Sequence, residues 1–220
     1  MARHGESKHL KRAQVSGNLV IPRKKNKYFV RQYPGRHKNR DSVAILSLLR
    51  DVMKITENAK ESRFLIRNGF VKVDGAVVKE EKFGVGFGDL VDIKGDKFLV
   101  SVTDKGKICV IEDPRDGNLK LVKIVSKMMG PKGKTVFFTN DSRNIASDNE
   151  KLQIGDSILF NVSSKQIEKV IPLDQGAEIM VFTGKNSGKK GKVIEISGKN
   201  VVIENKGSKL VLAQDSCIAV

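Results

Sequence analysis

The sequence is poor in aromatic residues and cysteine. Tryptophan is absent, and Phe and Tyr together make up 5% of the 220 residues. This composition argues against a protein that binds single strands mainly by stacking their bases on aromatic rings. Cys109 and Cys217 lie far apart and in no Cys-x-x-Cys pair, which excludes a zinc ribbon and a disulfide framework. We expect two buried thiols in a reducing compartment.

The chain also lacks long apolar runs. None approaches the roughly 18 consecutive apolar residues that a transmembrane helix needs, and residues 1–8 are too polar for a signal peptide. We therefore predict a cytoplasmic protein with no membrane partner.

Histidine is scarce and confined to one end of the chain, at His4, His9 and His37. The remainder lacks the commonest general base and the commonest metal ligand, which excludes Ser-His-Asp and Cys-His catalysis there. We predict a protein that is not an enzyme, with no small-molecule substrate, no metal and no cofactor.

Positive charge, by contrast, is abundant. The 41 Lys and Arg residues against 25 Asp and Glu give a net charge of +16, which favours a polyanionic partner. Residues 1–40 hold twelve of these cations and one acid, for a net charge of +11, and the other 180 residues carry only +5. The excess is therefore concentrated at the N-terminus.

Residues 1–41 show no sustained helical or alternating period, so we predict a basic arm that is extended or disordered when free. A tail that aids solubility or localisation is the alternative, but the mixture of cations with Tyr, Pro and Gly in YPGRHK (33–38) favours RNA contact. The RNA-binding candidates of the arm are Arg3, His4, Lys8, His9, Lys11, Arg12, Arg23, Lys24, Lys25, Lys27, Tyr33, Arg36, His37, Lys38 and Arg40.

Residues 42–96 form a second predicted domain that begins with two helices. Ser42 can cap a first helix, on which Ile45, Leu48, Leu49 and Val52 form one apolar stripe. Asn58 and Glu61 resemble a capping box for a second helix, which Asn68 and Gly69 end. The cations of this second helix, Lys60, Arg63 and Arg67, share one face, which is either a solvated surface or a ligand contact.

A hairpin follows, with Asp74-Gly75 as its turn, and a further strand begins at Leu90. The glycines of GVGFGD (84–89) are spaced too closely for a dinucleotide loop, and a strand follows them instead of a helix. The two helices, LIRNGFVKVDG (65–75) and Gly88-Asp89 resemble the small RNA-binding fold of ribosomal protein S4. This resemblance implies that Lys60, Arg63, Arg67 and Lys72 contact phosphate.

Residues 97–169 contain short strand patterns separated by turn residues, which predicts a central β domain. Its GPKGKT motif (130–135) has Met128 where a nucleotide-binding P-loop needs its first glycine, and VFF (136–138) predicts a strand where that loop needs a helix. We interpret it as a basic turn whose Lys132 and Lys134 contact RNA phosphate.

Residues 170–220 combine alternating strands with a glycine- and lysine-rich loop between Glu178–Phe182 and Lys192–Ser197. Glycines at 184, 188 and 191 permit tight turns and close approach to a ligand. The spacing closely resembles the KOW motif of SH3-like barrels, and RNA phosphate is the ligand expected there. The candidates are Lys185, Asn186, Lys189, Lys190 and Lys192.

Taken in order, these segments, together with KHLKR (8–12) and FTGKNSG (182–188), resemble the S4e family of small-subunit ribosomal proteins through nearly the whole chain. The resemblance implies an archaeal-type structural protein that binds small-subunit ribosomal RNA, contacts neighbouring ribosomal proteins and supports assembly. The fold it implies is multi-domain α+β and mostly β: arm, S4-like domain, central β domain and KOW barrel. A KOW-type transcription elongation factor and an RNA-modifying enzyme are the alternatives.

Overall fold

The computed structural model describes residues 9–21, 24, 26–113, 118–130, 134–147, 152–205 and 207–220. In this part of the chain the fold is mostly β with few helices, as predicted. Three five-stranded antiparallel sheets follow one another along the sequence, and each has its own apolar core.

The N-terminal segment packs against the first core. Strands β1 (Leu10–Lys11) and β2 (Tyr28–Phe29) pair with each other, and Val15, Leu19 and Phe29 are buried among residues of the following unit. The Asn18 carbonyl also accepts a hydrogen bond of 2.7 Å from the Ile108 amide. The prediction that residues 1–41 are extended or disordered when free therefore does not hold for the described part of this segment, because a few well-spaced apolar side chains bind it to the body.

The first predicted helix begins later than expected. Ser42 lies in strand β3 (Ser42–Ala44), which pairs with β6 (Gly84–Gly86), and its hydroxyl donates to the Lys38 carbonyl instead of capping a helix. Helix α1 (Ile45–Ser47) follows and continues as a π-helical segment over Leu48–Val52. The predicted apolar stripe is confirmed, since Ile45, Leu48 and Leu49 are fully buried.

Helix α2 (Ala59–Arg67) forms where the capping pattern predicts it. The Asn58 side chain accepts hydrogen bonds from the amides of Lys60 and Glu61, and the Glu61 carboxylate accepts from the Glu57 amide. Gly69 follows the helix with a φ of 77°, a left-handed conformation that suits glycine. Both predicted ends of this helix are confirmed.

The predicted hairpin consists of β4 (Val71–Val73) and β5 (Ala76–Val77), joined by Asp74 and Gly75. Both turn residues have positive φ, 51° and 74°, as a type I′ turn requires.

The sheet that contains this hairpin extends past the predicted boundary at residue 97. Its order is β5-β4-β7-β8-β9, with β7 (Leu90–Ile93) paired to β8 (Asp96–Val102) and β8 to β9 (Ile108–Glu112). Strand β8 completes the backbone pairing of β7 and β9 pairs with β8, which periodicity alone does not reveal.

The second sheet has the order β12-β11-β10-β13-β14. Its strands are β10 (Leu119–Met129), β11 (Thr135–Thr139), β12 (Asn144–Ser147), β13 (Ser157–Asn161) and β14 (Gln166–Ile171). A strand, β11, thus follows the GPKGK sequence, as predicted, where a P-loop needs a helix.

The third sheet has the order β18-β17-β16-β15-β19. Its strands are β15 (Glu178–Val181), β16 (Lys190–Ser197), β17 (Asn200–Asn205), β18 (Ser208–Ala213) and β19 (Cys217–Ala219). Strands β15 and β16 confirm the strands predicted on either side of the glycine- and lysine-rich loop, whereas β19 was not predicted. Ile179, Val181 and Cys217 contribute to its core.

Both cysteines are free thiols, with Cys217 fully buried and Cys109 half-buried. Burial raises the pKa of each thiol above its ordinary value. The helices of the described residues are all too short or too polar to cross a bilayer.

Candidate nucleic-acid interface

The predicted cationic face of α2 is exposed. Lys60, Arg63 and Arg67 lie on the solvent side, whereas Ser62 and Ile66 are buried on the opposite side. Arg63 pairs with the Glu81 carboxylate, but Lys60 and Arg67 form no ion pair with any residue that the structure describes. The helix therefore presents two uncompensated cations about two turns apart.

Lys72 extends this surface onto the neighbouring hairpin. It lies on β4, and its Nζ is 3.8 Å from the Asp92 carboxylate on β7. Its side chain is 47% exposed, and a long, exposed ion pair of this kind holds the cation only weakly. Lys72 therefore stays available to a ligand.

The loop before β16 packs against Thr103, the residue that follows strand β8 of the first sheet. Gly188 has a φ of 91°, and a Cβ at this position would lie 1.9 Å from the Thr103 carbonyl oxygen. Only glycine fits there. The contact fixes the loop while Lys185 remains exposed, and Lys189 donates a 3.0 Å hydrogen bond to the Asn186 side chain. Lys190 and Lys192 are exposed on β16.

The cations of the N-terminal segment fall into two groups. Lys11, Lys24, Lys27, Lys38 and Arg40 are exposed, as are His9 and Tyr33. Arg12 is only 3% exposed and its guanidinium lies over the Phe29 ring, 5.6 Å from the centroid. Because Arg12 is buried, its guanidinium is out of reach of a surface ligand. We therefore remove Arg12 from the predicted RNA-binding residues and assign it a role in the fold.

Arg36 and His37 also contact the body of the protein. Arg36 forms a 2.7 Å ion pair with Asp74, and His37 Nε2 lies 2.8 Å from the Asp89 carboxylate. The His37 side chain is 9% exposed. These contacts attach the segment to the turn of the β4–β5 hairpin and to the residue before β7.

The two aspartates belong to a buried cluster of charges centred on Lys120. The Lys120 ammonium contacts the carboxylates of Asp89 at 2.6 Å and of Asp74 and Asp141 at 2.9 Å each. Its side chain is 1% exposed. Arg143 completes the cluster, pairing with Asp74 at 2.7 Å and Asp141 at 2.8 Å. The cluster links the N-terminal segment and the first two sheets.

Mutual attraction determines the ionisation of these groups. Burial opposes the charged form of Asp89, but Lys120 and His37 outweigh it and hold the pKa of Asp89 well below its ordinary value. The pKa of Asp141 is lowered in the same way, against burial, mainly by Lys120. Burial likewise opposes the charge of Lys120, yet the three carboxylates raise its pKa. Asp89, Asp141 and Lys120 are therefore ionised at neutral pH.

Lys120 is not among the residues predicted from the sequence, although its strand carries one signal of its position. Along β10, Lys120 shares its face with Val122 and Ile124, which are fully buried. Lys123, on the other face of β10, is also buried and donates a 2.8 Å hydrogen bond to the Cys217 carbonyl. Because both faces of this strand mix lysine with apolar residues, alternation alone does not tell which lysine points inward.

Four of the exposed candidates lie along one groove of about 1130 Å³. His9, Lys38 and Arg40 come from the N-terminal segment, and Lys185 comes from the loop before β16. Arg31, which was not singled out as a site residue, also lines it. The tertiary structure thus joins cations that are almost 150 residues apart in the sequence.

Lys134 is exposed immediately before β11. The remaining predicted candidates lie outside the described residues: Arg3, His4, Lys8, Arg23, Lys25 and Lys132.

Comparison with known proteins shows clear similarity. The model of "Ribosomal family S4e" matches residues 94–167. Small ribosomal subunit protein eS4 of Thermoplasma acidophilum is 31% identical over 206 residues, covering 93% of this chain and 86% of that protein. The eS4 protein of Methanocaldococcus jannaschii is 31% identical over 211 residues, covering 91% and 86%.

A solved structure matches as well. The crystal structure of 30S ribosomal protein S4e from Thermoplasma acidophilum superposes with a TM-score of 0.71 and 27% sequence identity. The match covers 82% of this chain and 95% of the crystallised one.

Proposed function

Since the chain belongs to the S4e family of ribosomal proteins, we propose that it is a structural constituent of the small ribosomal subunit that binds ribosomal RNA. It acts in the cytoplasm, where it supports assembly of the subunit and contacts neighbouring ribosomal proteins. The relatives described above are ribosomal proteins, so they lend no support to a transcription elongation factor or an RNA-modifying enzyme.

One observation supports the proposal that the protein binds RNA: some of its cations are paired with carboxylates and others are not. Lys120 and Arg143 are neutralised by buried carboxylates, whereas Lys60, Arg67 and Lys185 are exposed and form no ion pair within the described structure. Exposed cations without partners release counterions when they meet phosphate, which is the main source of affinity for RNA.

The proposed division of labour follows the units of the fold. Residues 42–96 act as an S4-like RNA-binding domain, with the α2 face and Lys72 toward phosphate. The sheet formed by β15–β19 acts as a KOW-type SH3-like barrel, whose loop presents Lys185 and Lys189. The sheet of β10–β14 forms the core of the central domain predicted for residues 97–169, because β8 and β9 belong to the sheet of the S4-like domain. Residues 1–41 supply further cations.

Salt-dependent binding of the full chain to a small-subunit rRNA transcript tests this proposal. If roughly six to ten cations contact phosphate, affinity falls by about 10³–10⁵ between 50 and 200 mM salt. Sedimentation of a lysate provides the second readout: the protein should migrate with small subunits in moderate salt. Migration with RNA polymerase, or no binding to the transcript in dilute buffer, would contradict the proposal.

Charge-neutralising substitutions are better tests of individual segments than truncation. Removal of residues 1–40 would also remove Val15, Leu19 and Phe29 from the first core. A loss of binding by the truncated chain would therefore not distinguish unfolding from the loss of positive charge.

A further inference from the structure

Most of the residues that line the groove between residues 31–41 and the loop before β16 have polar or charged side chains. Its cations are Arg31, Lys38, Arg40 and Lys185, and Asp41 is the acid among its lining residues. The net charge of the lining is thus +3 with His9 neutral. Lys38, Arg40 and Lys185 make no ion pair with another described residue, so their charge is directed to the groove and the solvent.

Between the cations the lining offers hydrogen-bonding side chains. These are the amides and hydroxyls of Gln14, Ser16, Asn18, Gln32, Asn39 and Thr183. Such groups, together with Lys and Arg, are the ones that proteins use on phosphate and sugar oxygens. Apart from the His9 imidazole, the lining contains no aromatic ring on which bases could stack.

Both walls are fixed by contacts within the protein. On one side, Gln32 donates a 2.5 Å hydrogen bond to the Ser42 hydroxyl, which donates in turn to the Lys38 carbonyl at 2.7 Å. On the other, Gly188 is seated against the Thr103 carbonyl and holds the loop that carries Lys185. A ligand therefore meets a preformed groove and causes little loss of conformational entropy.

We propose that this groove binds the sugar–phosphate backbone of one continuous RNA strand, which passes from Lys38 and Arg40 to Lys185. The inference rests on the proposed function and adds to it the form of the ligand: the backbone and not the bases. Recognition in the groove is therefore independent of sequence, and specificity comes from other surfaces or from the shape of the RNA.

The decisive variant is the full chain with Lys38→Gln, Arg40→Gln and Lys185→Gln. Its binding to a small-subunit rRNA transcript and to an unrelated structured RNA of equal length is measured from 50 to 300 mM salt. Each lost phosphate contact lowers the slope of log affinity against log salt by about 0.7–0.9, so we expect a decrease of about 2 for both RNAs.

The matched control carries Lys169→Gln, Lys199→Gln and Lys209→Gln, three exposed lysines away from the groove, so its net charge is the same. Circular dichroism establishes that both variants are folded. If the groove variant and the control show the same slope, the groove does not bind RNA. An effect on one RNA alone would show that the groove reads bases, which also overturns the proposal.

A second measurement tests the continuity of the strand. Photo-crosslinking groups placed at Asn39 and at Thr183, on the two walls, should attach to nucleotides only a few positions apart in the rRNA transcript. Attachment to distant segments of the sequence would show two ligands instead of one strand. Failure of the unmodified chain to bind the transcript would refute the proposed function itself, whereas normal binding without the groove effects would refute only this inference.

Discussion

Lys120 and Lys185 are the same residue type in opposite surroundings. Lys120 lies near the start of strand β10, is 1% exposed and contacts three carboxylates. Lys185 lies on an anchored loop at the edge of a groove, is exposed and has no acidic partner among the described residues. The first lysine holds parts of the protein together, and the second is available to another molecule.

This contrast shows that the net charge of +16 is not a measure of the positive charge available for binding. Lys120, Arg143 and Arg36 are offset by Asp74, Asp89 and Asp141 inside the protein. Removal of a cation from this cluster leaves a buried carboxylate without its partner, which is costly. Removal of an exposed cation leaves no buried group without a partner, so we expect it to change the affinity for RNA and not the stability of the fold.

The largest effect is expected for Lys120→Met. This substitution leaves three buried carboxylates with too little positive charge, and we expect a loss of about 3–5 kcal/mol of unfolding free energy. Urea denaturation at pH 7 measures it. Lys199→Met, on the surface, provides the control and should change stability by less than about 0.5 kcal/mol. Equal stability of the two variants would show that the cluster does not hold the units together.

Acid should weaken the same cluster. The pKa values of Asp89 and Asp141 are lowered in the folded state, so their contribution to stability is present above the unfolded pKa of about 3.9 and is lost as the pH falls below it. Each carboxyl then contributes a loss of up to about 1.4 kcal/mol per pH unit.

Urea denaturation from pH 7 to pH 2.5 checks this expectation. Asp89→Asn should be less stable at neutral pH but should show a shallower decline below pH 4. An identical decline in both proteins would mean that Asp89 does not gain its low pKa from Lys120 and His37.

The smallest effect is expected on the exposed face of α2. Lys60→Gln together with Arg67→Gln should weaken binding to a small-subunit rRNA transcript about 10-fold at 150 mM salt, because two phosphate contacts are lost. Stability should stay within about 0.5 kcal/mol of the original. Arg63→Gln is the internal comparison and should cost less affinity, since its guanidinium is already paired with Glu81. An equal loss for Arg63→Gln would show that this pair opens when RNA binds.

Local signals predicted local structure well. Asn58 and Glu61 marked the start of α2 because their side chains satisfy free backbone amides at its first turn. Asp74 and Gly75 marked the β4–β5 turn because both accept positive φ. Ser42 was misassigned because its backbone pairs with Gly86, a partner more than 40 residues away that no local pattern reveals.

Individual residues of the candidate site were predicted from the sequence, but their positions relative to one another were not. The residue types at Lys38, Arg40 and Lys185 already indicated phosphate contact, whereas nothing in the sequence indicated that they line one groove. Arg12, Arg36 and His37 look in the sequence like the other cations of their segment. They differ from those cations in their contacts with Phe29, Asp74 and Asp89, which only the folded chain brings near.

The excess of positive charge follows from composition alone. The capped helix, the tight hairpin and the β-rich character of the rest were predictable because each depends on neighbours a few residues apart. Which cations are neutralised inside the protein, and which remain for a ligand, follows only from the folded arrangement of the chain. That choice depends on the electrostatic energy between groups far apart in the sequence, and this energy is set by distance and burial in the folded state.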